Sequence, residues 1–281
     1  MSIRTIIATE TLAQHLDDPK WAVFDCRHSL ADFSAGRRSY ESAHISGAFF
    51  ADVEGELAGV KTGANGRHPL PEPQAFASFL RDCGVSETTQ LVAYDAGADV
   101  FAARFWLLAR WIGHDAVAVL DGGLKAWLDE KRPLSAQLPR RNERGDLRVA
   151  LHPELIVDAS FVETQVDCAG LCIVDARSSD RYAGENETID PVAGHIPGAR
   201  NRPYKEIYAD DSRFKNADAL RQHFGTLGDP GTVIHQCGSG ISAAANMLAM
   251  EIAGLRGSRI YAGSWSEWIA NPQRPVAIGP R

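Results

Sequence analysis

Cys172-Ile173-Val174-Asp175-Ala176-Arg177 is a short apolar run that ends in Asp-x-Arg. Ala22-Val23-Phe24-Asp25-Cys26-Arg27 has the same form 150 residues earlier. Each reads as a short buried strand. Three more pairs of segments follow in the same order. Ala43-His44-Ile45-Ser46-Gly47-Ala48 resembles Gly194-His195-Ile196-Pro197-Gly198-Ala199, and Leu91-Val92-Ala93-Tyr94-Asp95 resembles Val233-Ile234-His235-Gln236-Cys237. Asp121-Gly122-Gly123-Leu124-Lys125-Ala126-Trp127 resembles Ala262-Gly263-Ser264-Trp265-Ser266-Glu267-Trp268. These later pairs are spaced by 151, 142 and 141 residues. Four ordered matches at nearly one spacing make the chain two copies of one unit.

Within a copy, strand and helix patterns alternate. Leu91–Tyr94 and Val117–Leu120 read as strands, and Val100–Trp111 and Leu124–Glu130 carry apolar residues at helical spacing. Alternation of this kind predicts an α/β fold, each copy a parallel sheet with helices on both faces. The polar, aperiodic stretch from Pro133 to Asp146 predicts an extended linker. The expected division is one domain over 1–132, a linker over 133–150 and a second domain over 151–281.

Composition bounds the function. The 281 residues are 44% hydrophobic and 23% charged, with a net charge of -7. That describes a folded, mildly acidic protein and argues against nucleic acid as a partner, which calls for a basic surface. No run of 18 apolar residues spans a membrane, and Met1–Ala8 lacks a signal peptide's apolar stretch, so a cytoplasmic protein is expected. Five cysteines in a long chain do not suggest a disulfide framework. Cys168 and Cys172 have no second Cys/His pair nearby to complete a structural zinc site, so no metal is expected. The cysteines other than Cys237 read as small, partly buried side chains.

In parallel α/β sheets, ligands bind beyond the carboxyl ends of the strands. That rule selects the segment after Val233–Gln236, where Cys237-Gly238-Ser239-Gly240-Ile241-Ser242-Ala243 leads into a helix through about Ala253. Two glycines flanking a serine let the backbone curl around the cysteine, so that successive N–H groups converge into an anion nest. The helix adds the positive end of its dipole. A thiol placed there is expected to be a thiolate near neutral pH, and the same nest suits a persulfide anion. The first copy carries Asp95 at this place and lacks the Gly-x-Gly pattern. Chemistry is therefore expected in the second copy alone.

Taken together, the Asp-x-Arg strand end, Gly194-His195-Ile196-Pro197-Gly198, the Cys237 loop and Gly263-Ser264-Trp265-Ser266-Glu267-Trp268 resemble a two-domain sulfurtransferase of the rhodanese superfamily. The resemblance runs from about Ile7 to Pro275. It implies tandem rhodanese domains, an inactive N-terminal and an active C-terminal one. It also implies ping-pong transfer of sulfane sulfur through a Cys237 persulfide, with no cofactor, from a small-molecule donor to a thiol, thioredoxin or cyanide. A monomer is expected. Cys237–Ala243 is similar to the loop of the mercaptopyruvate branch, with Ile241 and Ser242 as mild substitutions, whereas mammalian thiosulfate enzymes place basic side chains there.

That branch also implies a Ser-His-carboxylate group beside the cysteine. Ser239 matches its serine, His68 its histidine, and Glu54 its carboxylate, with Asp52 as the fallback. Gly238, Gly240, Ile241 and Ser242 are expected to form the donor cradle, and Arg181 matches the first of two arginines that in this branch hold the donor's carboxylate. The second is missing, and acids stand in the shortened stretch Gly184–Pro191. Arg67, Arg200 and Arg202 are the candidates to replace it. Arg177 is expected to brace the loop, and His44 and His195 to serve turns. Thiosulfate is the alternative donor, and a non-catalytic binding module is the rival of another class. A cysteine phosphatase would need arginine at the sixth position after Cys237, where Ala243 stands. An acyl-transferring cysteine hydrolase would need a histidine beside the thiol, which His68 could mimic, but the glycine-rich nest suits a persulfide better.

Overall fold

Two parallel sheets carry the chain, as the alternating patterns predict. The computed structural model describes residues 2–140, 143–166 and 170–280. Cys168, weighed above as half of a metal pair, lies outside them. The residues form two compact units, each assembled from separated stretches of chain. The first comprises Met1–Gly59, Pro71–His152 and Ala209–Phe214, and the second Val60–Leu70, Pro153–Tyr208 and Lys215–Arg281.

In the first unit the elements run β1 (Ile6–Ile7), α1 (Thr9–Ala13), β2 (Trp21–Asp25), α2 (Ala35–Ser42), β3 (Phe49–Phe50), α3 (Pro73–Asp82), β4 (Gln90–Tyr94), α4 (Phe101–Trp111), β5 (Val117–Leu120) and α5 (Gly123–Asp129). The second unit repeats the pattern with β6 (Ile156–Val157), α6 (Ala159–Gln165), β7 (Cys172–Asp175), α7 (Ser179–Ala183), β8 (Arg200–Asn201), α8 (Ala217–Phe224), β9 (Val233–Gln236), α9 (Ser242–Ile252), β10 (Arg259–Tyr261) and α10 (Ser264–Trp268). The sheet orders are β1-β5-β4-β2-β3 and β6-β10-β9-β7-β8, one topology used twice. Every strand pair in both sheets is parallel. Where the sequence quotes matching segments, the structure therefore places matching elements.

Helices cover both faces because successive strand residues point to opposite sides. In the second unit, Ile173, Ile234 and Tyr261 lie on one face and pack with Val162 of α6, Tyr182 of α7 and Trp265 and Trp268 of α10. On the opposite face His235 meets the ring of Phe224 in α8 edge-on at 6.4 Å. The first unit does the same. Val23, Val92 and Leu120 pack with Leu12 of α1 and Trp127 of α5, while Phe24 points the other way against Phe79 of α3 and Phe105 of α4.

The repeated Asp-x-Arg is a clamp. Arg27 grips Asp25 through Nε at 2.9 Å and Nη2 at 2.7 Å, and donates from Nη2 to the Ala43 carbonyl at 2.7 Å. Arg177 grips Asp175 at 3.1 and 2.6 Å and donates to the Gly194 carbonyl at 2.7 Å. Each clamp ties a strand end to the turn that follows in sequence, where His44 and His195 bond to backbone carbonyls as structural residues at 2.7 and 2.8 Å. Among the described residues, no helix is long and apolar enough to cross a membrane.

His235 makes the stability of the second unit depend on pH. It is wholly buried on β9, neither ring nitrogen has a hydrogen-bond partner, and burial pulls its pKa down to about 3. The folded state excludes a proton that the unfolded chain takes up below about 6.5. Stability is therefore complete above that value and is lost as the pH falls toward 3, at about 1.4 kcal/mol per pH unit for this group. His235→Leu is expected to gain on the unaltered protein steadily as denaturant unfolding is repeated from pH 7 down to pH 4. Parallel curves would show that His235 does not govern the acid limb.

Candidate active site

The position of the Cys237 loop follows from where β9 sits. β9 is the central strand of its sheet, so the segment leaving its carboxyl end emerges flanked by β7 and β10. Cys237 is the first residue beyond the strand, and α9 begins at Ser242 with no side chain capping it. The loop closes on the cysteine, and the Gly240 N–H donates to Cys237 Sγ at 3.1 Å. Gly240 has a φ of +80°, which a side chain would strain. The start of α10 pins the loop from below. The Cys237 N–H donates to Ser264 Oγ at 3.1 Å, and the N–H groups of Trp265 and Ser266 donate to the carbonyls of Cys237 and Gly238 at 3.0 Å each. Trp265 and Trp268 are fully buried in the core, so they support the loop and do not line its mouth. Ile241 is buried at the position before α9, and Ser242 opens the helix.

The same place in the first unit is filled from within. Asp95 follows β4, the central strand, and its carboxylate accepts from the N–H groups of Gly97 and Ala102 at 3.0 Å each. Burial raises the Asp95 pKa while these bonds oppose the rise. A side-chain carboxylate thus occupies the nest that in the second unit surrounds a sulfur.

Beside Cys237, the second unit brings together residues far apart in sequence. His68 and Ser239 are both buried, with His68 Nδ1 2.8 Å from Ser239 Oγ. The Arg67 backbone N–H donates to Ser266 Oγ at 3.0 Å, which places its guanidinium at the loop. A methyl group on Gly238 would lie 2.8 Å from Arg67 Nη2 and 3.6 Å from Arg181 Nη2, so both arginines reach the residue after the cysteine. Burial pulls Arg67 below the usual arginine range, with the Cys237 sulfur the largest influence in the other direction.

Three acids answer the arginines. Arg181 is held by Glu187, from Nε at 3.0 Å and Nη2 at 2.9 Å, and from Nη2 by Asp190 at 3.0 Å. Arg67 Nη1 pairs with the other oxygen of Asp190. Arg177 joins Asp175 to Glu187, the latter at 3.4 Å, and lies over the Trp265 ring at 4.9 Å. Arg177 thus lies over Trp265, whose backbone N–H donates to the Cys237 carbonyl at 3.0 Å. Sequence shows that acids stand in Gly184–Pro191 but not that they neutralise the arginines, and only the family resemblance, not composition or periodicity, put His68 and Arg67 of Val60–Leu70 with the second unit.

The remaining expected residues have these partners within their own units. Glu54 belongs to the first unit, where its Oε1 is 3.9 Å from Nε2 of His28. Asp52, the fallback, accepts from Arg37 Nη2 at 3.4 Å. Arg200 donates to the Thr226 carbonyl at 2.8 Å and Arg202 to the Thr226 hydroxyl at 2.7 Å, contacts on the β8 side of the sheet. Of the three candidates for a second donor-binding arginine, Arg67 is the one beside Gly238.

Comparison with known proteins agrees with this architecture. The Rhodanese-like domain matches twice, over residues 8–130 and 158–271. A probable 3-mercaptopyruvate sulfurtransferase of Pseudomonas aeruginosa is 43% identical over 99% of this chain and 100% of its own. The thiosulfate sulfurtransferase of Cricetulus griseus is 30% identical over 98% of this chain and 96% of its own. The crystal structure of the Escherichia coli 3-mercaptopyruvate sulfotransferase superposes with a TM-score of 0.82 at 30% identity, covering 94% of this chain and 99% of that one. With both copies of the fold matched and relatives aligned over nearly their whole length, the chain belongs to the rhodanese family as a two-domain sulfurtransferase.

Proposed function

We propose that the enzyme moves sulfane sulfur from 3-mercaptopyruvate to a thiophilic acceptor through a persulfide on Cys237, with 151–281 as the catalytic domain and 1–132 as a non-catalytic partner. The observation that carries this reading is Cys237 Sγ at the carboxyl end of the central strand, accepting from the Gly240 N–H at 3.1 Å with an uncapped helix start behind it. The Gly240 N–H and the start of α9 suit the terminal sulfur anion of the persulfide after transfer.

In the first half-reaction the Cys237 thiolate attacks the donor's sulfur. The new S–S bond forms as the donor's C–S bond breaks, and the bonding electrons pass into the keto acid as an enolate. A proton on that carbon completes pyruvate. Ser239, polarised by His68, donates a hydrogen bond to the keto oxygen where negative charge develops. Arg181 and Arg67 hold the donor's carboxylate, a task suited to planar guanidinium groups. In the second half-reaction the acceptor's thiolate attacks the outer sulfur, and Cys237 leaves as a thiolate. A thiol, thioredoxin or cyanide fits this step, and one chain suffices for it.

Thiosulfate is the second reading, favoured by the arginines at Gly238 and by the relatives named for that donor. Its sulfane sulfur passes to Cys237 as sulfite leaves, and no keto oxygen gains charge. The two readings separate on Ser239→Ala. With 3-mercaptopyruvate as donor, kcat/KM is expected to fall about 10²-fold, the typical contribution of a positioned proton-transfer group, and with thiosulfate only a few-fold. Equal losses would reduce Ser239 to a loop-shaping residue. A kcat/KM for thiosulfate above that for 3-mercaptopyruvate in the unaltered enzyme would make thiosulfate the main donor.

A further inference from the structure

Asp190 sits where a substrate group would be expected. One oxygen of its carboxylate pairs with Arg67 and the other with Arg181 at 3.0 Å, so one acid bridges the two guanidinium groups beside Gly238. Its side chain is 3% exposed. Arg67, Arg177 and Arg181 face Asp175, Glu187 and Asp190, which leaves the cluster with no formal net charge. An anionic donor arriving at Cys237 meets arginines that are already engaged.

We propose that Asp190 is a resident competitor for the donor's carboxylate and so sets the enzyme's affinity for donor. The inference rests on the reading of Arg67 and Arg181 as donor-binding residues. A carboxylate and a bidentate pair of arginines form strong charge-assisted bonds, and two carboxylates cannot share the same N–H groups. The donor binds by taking over the two guanidinium groups as Asp190 withdraws. An acid pulled from its partners inside a protein would be costly to leave unpaired, but Asp190 has somewhere to go. It lines a cavity of about 360 Å³ together with Lys61, Ile189 and Ser266. Lys61 and Ile189 stand at its exposed rim. The ammonium of Lys61 offers the displaced carboxylate a new partner. Glu187 stays in place, because it also accepts from the N–H groups of Ile189 and Asp190 at 2.9 and 3.0 Å and keeps Arg181 aimed at the loop.

The test is steady-state kinetics of Asp190→Asn and Lys61→Met with whichever of 3-mercaptopyruvate and thiosulfate loads Cys237 in the unaltered enzyme. Asp190→Asn keeps the shape and removes the competing charge. It is expected to lower the donor's KM about five- to tenfold and leave kcat within about twofold, the pattern of a change in donor binding and not in the chemical step. Lys61→Met leaves the buried cluster intact, removes the alternative partner, and is expected to raise KM about two- to threefold. A KM that stays level or rises in Asp190→Asn overturns the proposal, since a purely structural Asp190 would loosen the arginines and weaken donor binding. If Asp190→Asn does not fold, an unchanged KM in Lys61→Met overturns it. If neither donor loads Cys237 in the unaltered enzyme, the sulfurtransferase mechanism itself fails and this inference falls with it.

Discussion

Replacement of Cys237 by serine is expected to lower sulfur transfer at least about 10³-fold with either donor, because the proposed covalent catalysis loses the atom on which the persulfide forms. A serine oxygen can accept the Gly240 N–H that Sγ accepts at 3.1 Å, so the fold and the loop persist. Stability by denaturant unfolding is expected to stay within about 1 kcal/mol of the unaltered protein, in the range of substitutions that create neither cavity nor clash. The other described cysteines lack the setting of a nucleophile. Burial, with Asp25 and Asp95 nearby, raises the Cys26 pKa well above its usual value, and burial also raises that of Cys172. Cys83 is buried at the end of α3. Serine at any of these three positions is expected to retain at least half of the turnover. Loss of transfer in one of them, with Cys237→Ser still active, would move the chemistry to another residue.

Gly240→Ala is expected to be nearly as severe, for a reason of space. At a φ of +80° the new methyl group would lie 2.1 Å from the Ala262 carbonyl oxygen and 3.0 Å from its carbon, both of them backbone. A backbone contact cannot rotate away, so the loop or the strand end beside it must shift. Strained backbone and overlap together cost about 2–4 kcal/mol in unfolding free energy. The same shift moves the Gly240 N–H off Sγ, and kcat/KM is expected to fall about 10²-fold, as displacements near 1 Å at a reacting group do. Gly47→Ala separates the two causes. Gly47 has a φ of +76° but nothing within 4 Å of a methyl group, so only conformational strain of about 1 kcal/mol is expected. Equal losses of stability in the two variants would show that the clash at Ala262 does not matter.

Much of the fold was legible because the repeat doubled each signal. The strands at Leu91–Tyr94, Val117–Leu120 and Val233–Gln236 and the helices near Phe101–Trp111 and Ser242–Ile252 all stand within a residue or so of their expected ends. Apolar periodicity fixes such elements, since both faces of the sheets are covered. Short edge strands such as Phe49–Phe50 and Arg200–Asn201 carry too few residues to show a period. The Cys237 loop was legible because glycine, serine and glycine between strand and helix have few other uses than a tight, N–H-lined turn. What stayed hidden was long-range. Sequence alone gives no distance between His68 and Ser239, which are 171 positions apart yet in contact at 2.8 Å. Nor does it show that Asp190 bridges Arg67 and Arg181, since the pairing of charges depends on where Val60–Leu70 packs.

Intact-protein and peptide mass spectrometry shows whether Cys237 carries the sulfur. After incubation with 3-mercaptopyruvate or thiosulfate and removal of excess donor, the peptide holding Cys237 is expected to gain the mass of one sulfur atom. Cyanide or a reducing thiol should then remove it. A protein that turns over donor while Cys237 stays unmodified, or that gains its sulfur on another cysteine, would contradict the account.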